Sequence, residues 1–266
     1  MYLIDTHAHL DMIKWMAPAE AVRRSVEEGV KYIINPGSSI EGSKKAVEYA
    51  TKFPGVFASV GLHPNHAEEA GTSEIGLLES LMTGSDGKRN KKVVAVGEVG
   101  FDFYRDLSSR INQEKAFRAQ IELALRYNLP LIIHNRDADK QIFRVLKEFS
   151  GHDNLRGVVH CFLSDSAFAM QCLDLGLYIS FTGIITFPSA KNTLNAVKSV
   201  PIDRMFVETD APFLAPQAKR GKENFPGYVK YVAEKIAKTK EMALEEVAEI
   251  TSENAVKFFK LTVENN

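Results

Sequence analysis

Four histidines and two carboxylates draw attention because each ends or follows a short β-branched run: His7, His9, Glu98, His134, His160 and Asp210. His7 and His9 stand two residues apart at the end of the first run. Alternate residues of an extended chain project to the same side, so these two imidazoles can clasp one ion. Alone, a His-x-His pair is equally well two hydrogen-bonded histidines. The other four residues tip that balance, since six unrelated buried polar groups would each need a separate partner to offset desolvation. Imidazoles and carboxylates without a thiolate suit zinc, manganese, cobalt or nickel, and magnesium through its oxygen ligands. Six ligands exceed the needs of one four-coordinate catalytic ion that keeps a water position open. Two divalent ions about 3.5–4 Å apart are therefore expected, with Glu98 as the candidate bridge.

Such a pair lowers the pKa of a bound water and clamps the oxygens of an in-line displacement, which is hydrolytic chemistry. Glu98 and Asp210 are the candidate catalytic residues. Asp210 can bind metal and also take the proton of the attacking water, or it can cap a helix beginning near Ala211-Pro212. Around this centre His63 and His66 in GLHPNH, Arg136 in HNRDA, and Lys219, Arg220 and Lys222 in AKRGKENFP suit a phosphate. His63 and Arg136 lie close to strand ends and are the stronger candidates, because charged loop residues are mostly just solvated. Phe101, Phe103 and Tyr104 offer a stacking face, worth about 1–3 kcal/mol per stacked base, although core packing accounts equally well for Phe101. There is no G-x-S-x-G elbow and no phosphate-binding glycine loop, and Cys161 beside His160 reads as a small buried residue.

Something must hold these residues together. The β-branched runs cover 2–7, 32–37, 56–63, 93–100, 129–135, 157–162, 177–183 and 204–210, with amphipathic stretches between them. Ile142, Val145, Leu146 and Phe149 fall at helical spacing, and Phe117, Ile121 and Leu125 repeat every four residues. Pro18 and Gly29 punctuate the start and end of the first helix. Eight strand–helix units predict an α/β fold, a closed (β/α)8 TIM barrel; an open doubly wound sheet is the alternative. In such a barrel the active site occupies the carboxyl ends of the strands, where all six candidate ligands fall. Residues 83–92 read as a polar surface loop, residues 226–263 as extra C-terminal helices, and residues 1–266 as one domain.

Composition bounds the partners. The chain has 33 Lys plus Arg against 34 Asp plus Glu, so no global positive field holds long nucleic acid, and a polyanion must be gripped locally. Two cysteines without C-x-x-C spacing, no apolar stretch long enough for a membrane span, and no basic-then-apolar leader predict a cytoplasmic protein with no membrane association. A monomer is the expected state.

The motifs DTHAHLD (5–11), GLHP (61–64), GEVGFDFYR (97–105), HNRDA (134–138), HCF (160–162) and ETDAPFLAP (208–216) together resemble the TatD family of metal-dependent deoxyribonucleases. The likeness runs essentially from end to end, and RGKENFP (220–226) resembles the family's basic loop. The resemblance implies a barrel related to the amidohydrolases, with metal ligands at His7, His9, Glu98, His134, His160 and Asp210. It also implies phosphodiester hydrolysis, with DNA as partner through single strands or 3′ ends, by a magnesium-dependent DNase of the 3′–5′ exonuclease type. Some relatives instead remove D-amino acids from tRNA, so an amide or ester hydrolase such as a D-aminoacyl-tRNA deacylase is the alternative, and a noncatalytic scaffold a third. The chain departs from the family pattern where HCF continues as Leu163, Ser164, Asp165 and where Phe101 and Phe103 follow Glu98. These positions bear on substrate preference and leave the metal ligands intact.

Overall fold

The β-branched runs become eight parallel strands in a computed structural model that describes residues 1–84 and 87–262. They are β1 Leu3–Asp5, β2 Val30–Pro36, β3 Val56–Val60, β4 Val93–Asp102, β5 Leu131–Arg136, β6 Gly157–Val159, β7 Tyr178–Phe181 and β8 Met205–Val207. Each pairs with its neighbours in sequence order. The ends of the sheet meet through main-chain bonds from Thr6 N–H to Val207 O (3.3 Å), His9 N–H to Ala211 O (2.8 Å) and Asp210 N–H to His7 O (2.8 Å). That order and that closure make a (β/α)8 barrel and exclude the open doubly wound sheet.

The helices are α1 Pro18–Glu27, α2 Ile40–Lys52, α3 Thr72–Met82, α4 Arg110–Tyr127, α5 Asp139–Glu148, α6 Ser166–Asp174, α7 Lys191–Ser199, α8 Val229–Lys240 and α9 Leu244–Phe259. Pro18 opens α1 where its missing N–H costs nothing, and Gly29 just past its end adopts φ +89°. Ser39 and Ser109 cap α2 and α4 by accepting from Gly42 N–H (3.0 Å) and Asn112 N–H (3.3 Å). The periodic residues face inward as their spacing predicts: Phe117, Ile121, Ile142, Val145 and Leu146 are buried in the main core, and Leu125 and Phe149 pack against it.

The two ends of the barrel differ. At the amino-terminal end Phe258 and Phe259 of α9 join Ile4, Tyr32, Phe57 and Phe206 in a separate apolar cluster. That plug leaves the carboxyl ends of the strands as the open face. Helix α8 completes the eighth strand–helix unit, so where several extra C-terminal helices are expected the described residues hold one, α9; residue 263 of the expected span lies outside the described residues. Within the expected loop 83–92, Thr83 and Arg89 form an isolated antiparallel bridge, and residues 85–86 lie outside the described residues. Among the described residues no helix is long and apolar enough to cross a membrane.

One local irregularity matters for the site. Val96 pairs with Leu131 but Val99 with Ile133, so β4 carries one residue more than β5 across Gly97–Glu98. Such a bulge bends a strand and re-aims a side chain, here that of Glu98. The strands close up again at Gly100, whose φ is +137° and where a Cβ would stand 2.1 Å from the His134 carbonyl oxygen. Only glycine fits there.

Candidate metal centre

All six expected ligands converge on the open face. His7 and His9 sit just past β1, in the segment that closes the barrel through the Ala8–Ala211 bridge, and their Nε2 atoms are 3.2 Å apart. Glu98 Oε2 lies 3.5 Å from His7 Nε2 and 3.6 Å from His9 Nε2. Asp210 Oδ1 lies 3.7 and 3.6 Å from the same two nitrogens. The other Glu98 oxygen faces a different pair: Oε1 is 2.6 Å from His134 Nδ1 and 2.8 Å from His160 Nε2, which are 3.3 Å from one another. Glu98 therefore straddles two donor sets, one on each oxygen.

These spacings fit ions. Donors held about 2.0–2.2 Å from one tetrahedral ion stand roughly 3.3–3.6 Å apart, close to the separations among His7, His9, Glu98 Oε2 and Asp210 and to the 3.3 Å between His134 and His160, whereas Glu98 Oε1 stands at the shorter hydrogen-bond distance from both of these. Neutral imidazoles cannot satisfy the His7–His9 contact and the carboxylate contacts all at once, since each carries one N–H. A cation between the nitrogens removes that conflict.

The electrostatics follow from burial and company. Burial pushes the Glu98 carboxyl up, but the charges of His160 and His63 and the close contacts with His134 and His160 outweigh it and hold it well below the usual carboxylate range. Asp210 is likewise lowered against its burial, chiefly by the hydrogen bond with His9. Both groups are thus carboxylates, the form a cation needs. Cys161 goes the other way: burial, with Asp210 and Glu208 beside it, raises its thiol well above the usual range, so it is no nucleophile.

Two backbone turns aim the ligands. Asp210 and Cys161, the residue after His160, adopt φ of +55° and +45°, the left-handed region that short polar side chains enter most readily. No helix begins at Ala211-Pro212; Phe213 N–H instead closes a turn onto Asp210 O (2.9 Å), which leaves the Asp210 carboxylate free for the site.

The centre opens into a cavity of about 430 Å³ whose wall includes His63, Tyr104, Arg136 and Phe213. His63 follows β3 and accepts the Asn65 N–H on Nδ1 (3.0 Å), so its proton sits on Nε2, 3.4 Å from Glu98 Oε1. Burial lowers its pKa to about 4, which keeps it neutral with Nε2–H turned to the centre. The Arg136 guanidinium lies 5.0 Å over the Tyr104 ring and has no ion-pair partner among the described residues. His66 also borders the cavity but pairs with Glu69 (2.9 Å). The basic loop is placed differently. Its Asn224 is buried and bonds Thr209 O (3.0 Å), while Arg220 and Lys222 are exposed and do not line the cavity. Lys219 stacks on Tyr228 and Tyr231. Phe101 is core; Tyr104 is 68% exposed and the only ring of the 101–104 run that borders the cavity.

Three buried acids behind the ligands escape a reading of the sequence. Asp5 accepts from His7 N–H (3.2 Å) and Thr209 Oγ1 (2.5 Å). Glu208 takes the Cys161 N–H (2.6 Å) and lies 3.6 Å from His160 Nδ1. Asp102 lies 3.3 Å from His134 Nε2. A usable signal exists for two of them: Asp5 and Glu208 each precede a ligand, His7 and Asp210, by two residues.

The profile described as "TatD related DNase" matches residues 4–260. The Bacillus subtilis (strain 168) protein described as "uncharacterized metal-dependent hydrolase YabD" is 40% identical over 260 residues, covering 97% of this chain and 99% of that one. The Escherichia coli (strain K12) hydrolase YcfH is 34% identical over 266 residues, covering 98% and 97%. The crystal structure of YjjV, a TatD homolog from Escherichia coli K12, superposes with a TM-score of 0.89 at 28% identity, covering 97% and 98%. With a match across nearly the whole chain and a donor set that fits divalent ions, this protein belongs to the TatD family of metal-dependent hydrolases.

Proposed function

We propose that the protein is a metal-dependent deoxyribonuclease, a 3′–5′ exonuclease acting on single strands or 3′ ends with two divalent ions. The observation that carries this reading is Arg136: a guanidinium without an acidic partner among the described residues, stacked on an exposed tyrosine, in the wall of the cavity that holds both donor sets. Guanidinium grips phosphate oxygens in a fork, and an aromatic face accepts an unstacked base.

His7, His9 and Asp210 would hold one ion, His134 and His160 the other, with Glu98 shared; magnesium, manganese, zinc, cobalt and nickel all suit these donors. Bound ions supply Lewis acidity at the scissile phosphate and at the attacking water. The chain's own residues do the rest. Arg136 fixes the non-bridging oxygens in line for attack, His63 donates Nε2–H to an oxygen beside Glu98, and Asp210 accepts the proton that water gives up. One phosphorus–oxygen bond breaks as the water oxygen bonds to phosphorus. The near-neutral net charge of -1 agrees with an enzyme that trims ends and releases them.

The test uses metal-stripped protein and 5′-end-labelled single-stranded DNA, with magnesium, manganese or zinc restored separately. A ladder shortening from the 3′ end with at least one metal, and none without, is the expected outcome. Intact DNA under every metal would overturn the reading.

A further inference from the structure

Asp102 ends β4, is 2% exposed and stands behind His134, on the side of the ring away from Glu98. Its Oδ2 lies 3.3 Å from His134 Nε2, while Oδ1 accepts Tyr104 N–H (3.1 Å) and Arg105 N–H (2.8 Å). Its main chain is clamped by the fully buried Gln113 of α4, whose Oε1 takes the Asp102 N–H (2.9 Å) and whose Nε2 donates to Asp102 O (3.3 Å) and Ser108 O (2.8 Å). The carboxylate is thus held between a metal-site imidazole and the turn that carries Tyr104.

His63, Asp102 and His134 bring three donor atoms within 4.8 Å, which raises the question of a third ion. The hydrogen bonds decide against it. His63 Nδ1 is committed to the Asn65 N–H, so Nε2 is protonated, and His134 Nδ1 is turned 2.6 Å from Glu98 Oε1. An ion there would need His63 to give up its only proton.

We propose that Asp102 is a positioning residue with two tasks. It holds the proton of His134 on Nε2, which leaves Nδ1 bare for the divalent ion shared with Glu98 and His160. It also pins the Tyr104–Arg105 turn against which Arg136 stacks. An imidazole offers a bare nitrogen on one side only when its proton is held on the other, and a carboxylate behind the ring favours that tautomer and raises the ring's basicity. One side chain therefore ties metal binding to the shape of the substrate wall. This inference rests on the metal dependence of the family and is indifferent to which bond is cut.

Calorimetric titration of metal-stripped protein with Mn2+ alone tests it, using Asp102→Ala and Asp102→Asn, with His134→Ala identifying the binding step that the His134 side contributes. Asp102→Asn keeps the volume and removes the charge, so it retains the fold even if alanine does not. In both aspartate variants that step is expected to weaken about 10–100-fold while any step that survives His134→Ala stays within about twofold of the parent. A role in folding alone would weaken every step together and lower Tm. Unchanged Mn2+ affinity in both variants, or equal weakening of all steps, overturns the proposal.

Discussion

Glu98→Gln is expected to lower metal-dependent kcat/KM by at least about 10³-fold, or about 4 kcal/mol of transition-state stabilisation, the largest loss of any single substitution in the chain. The reason is its position. Glu98 turns Oε2 to His7 and His9 and Oε1 to His134 and His160. Glutamine preserves the size but replaces one oxygen by an NH2 group that faces imidazole nitrogens or a cation, and it removes the negative charge both sets share. Metal content should therefore fall on both sides at once. Elemental analysis of protein purified in excess Mn2+, read beside the steady-state rate, checks this: a Glu98→Gln protein that keeps its full metal content and turns over normally would contradict the assignment of Glu98 as the shared ligand.

Arg136→Ala separates phosphodiester from carbonyl chemistry. If the guanidinium grips a phosphate, kcat/KM on a DNA oligonucleotide should fall about 10²-fold, some 2.7 kcal/mol, while hydrolysis of a small uncharged ester stays within about twofold of the parent. Among the described residues Arg136 has no ion-pair partner whose loss would unsettle the fold, and its guanidinium lies over the Tyr104 ring, so Tm should change little. Equal losses on both substrates would mean that Arg136 supports the site generally. Turnover of the ester with DNA untouched by either protein would favour the amide or ester hydrolase, with D-aminoacyl-tRNA the substrate to try next.

The barrel was legible because two periodicities alternate eight times, and the convergence of the six candidate ligands because each stands in the carboxyl half of a strand or just past it, where the fold places chemistry. What the sequence did not convey is how Glu98 reaches the centre. Strict alternation along VVAVGEVG gives no hint that an extra residue is inserted between Val96 and Val99, since a bulge is set by pairing with β5, and no feature of β4 alone announces it. The left-handed turns at Cys161 and Asp210 are equally silent, because neither residue type demands them. Asp5, Asp102 and Glu208 went unread for a related reason. Their partners are 204, 32 and 47 residues away, as in the Asp5–Thr209, Asp102–His134 and Glu208–Cys161 contacts, and only the assembled barrel, by pairing β4 with β5 and bringing its first and last strands together, makes them neighbours. In the 219–222 loop Arg220 and Lys222 are exposed and lie outside the cavity wall, Lys219 lies over Tyr228 and Tyr231, and the residue that ties the loop to Thr209 is the neutral Asn224.

The central claim is that Glu98 stands between two bound ions, and the most direct measurement is an anomalous-difference map from crystals of the protein soaked in Mn2+. Two peaks about 3.5–4 Å apart are predicted, both touching Glu98, one beside His7, His9 and Asp210 and the other beside His134 and His160. A single peak, or peaks that leave either Glu98 oxygen without a metal contact, would contradict it.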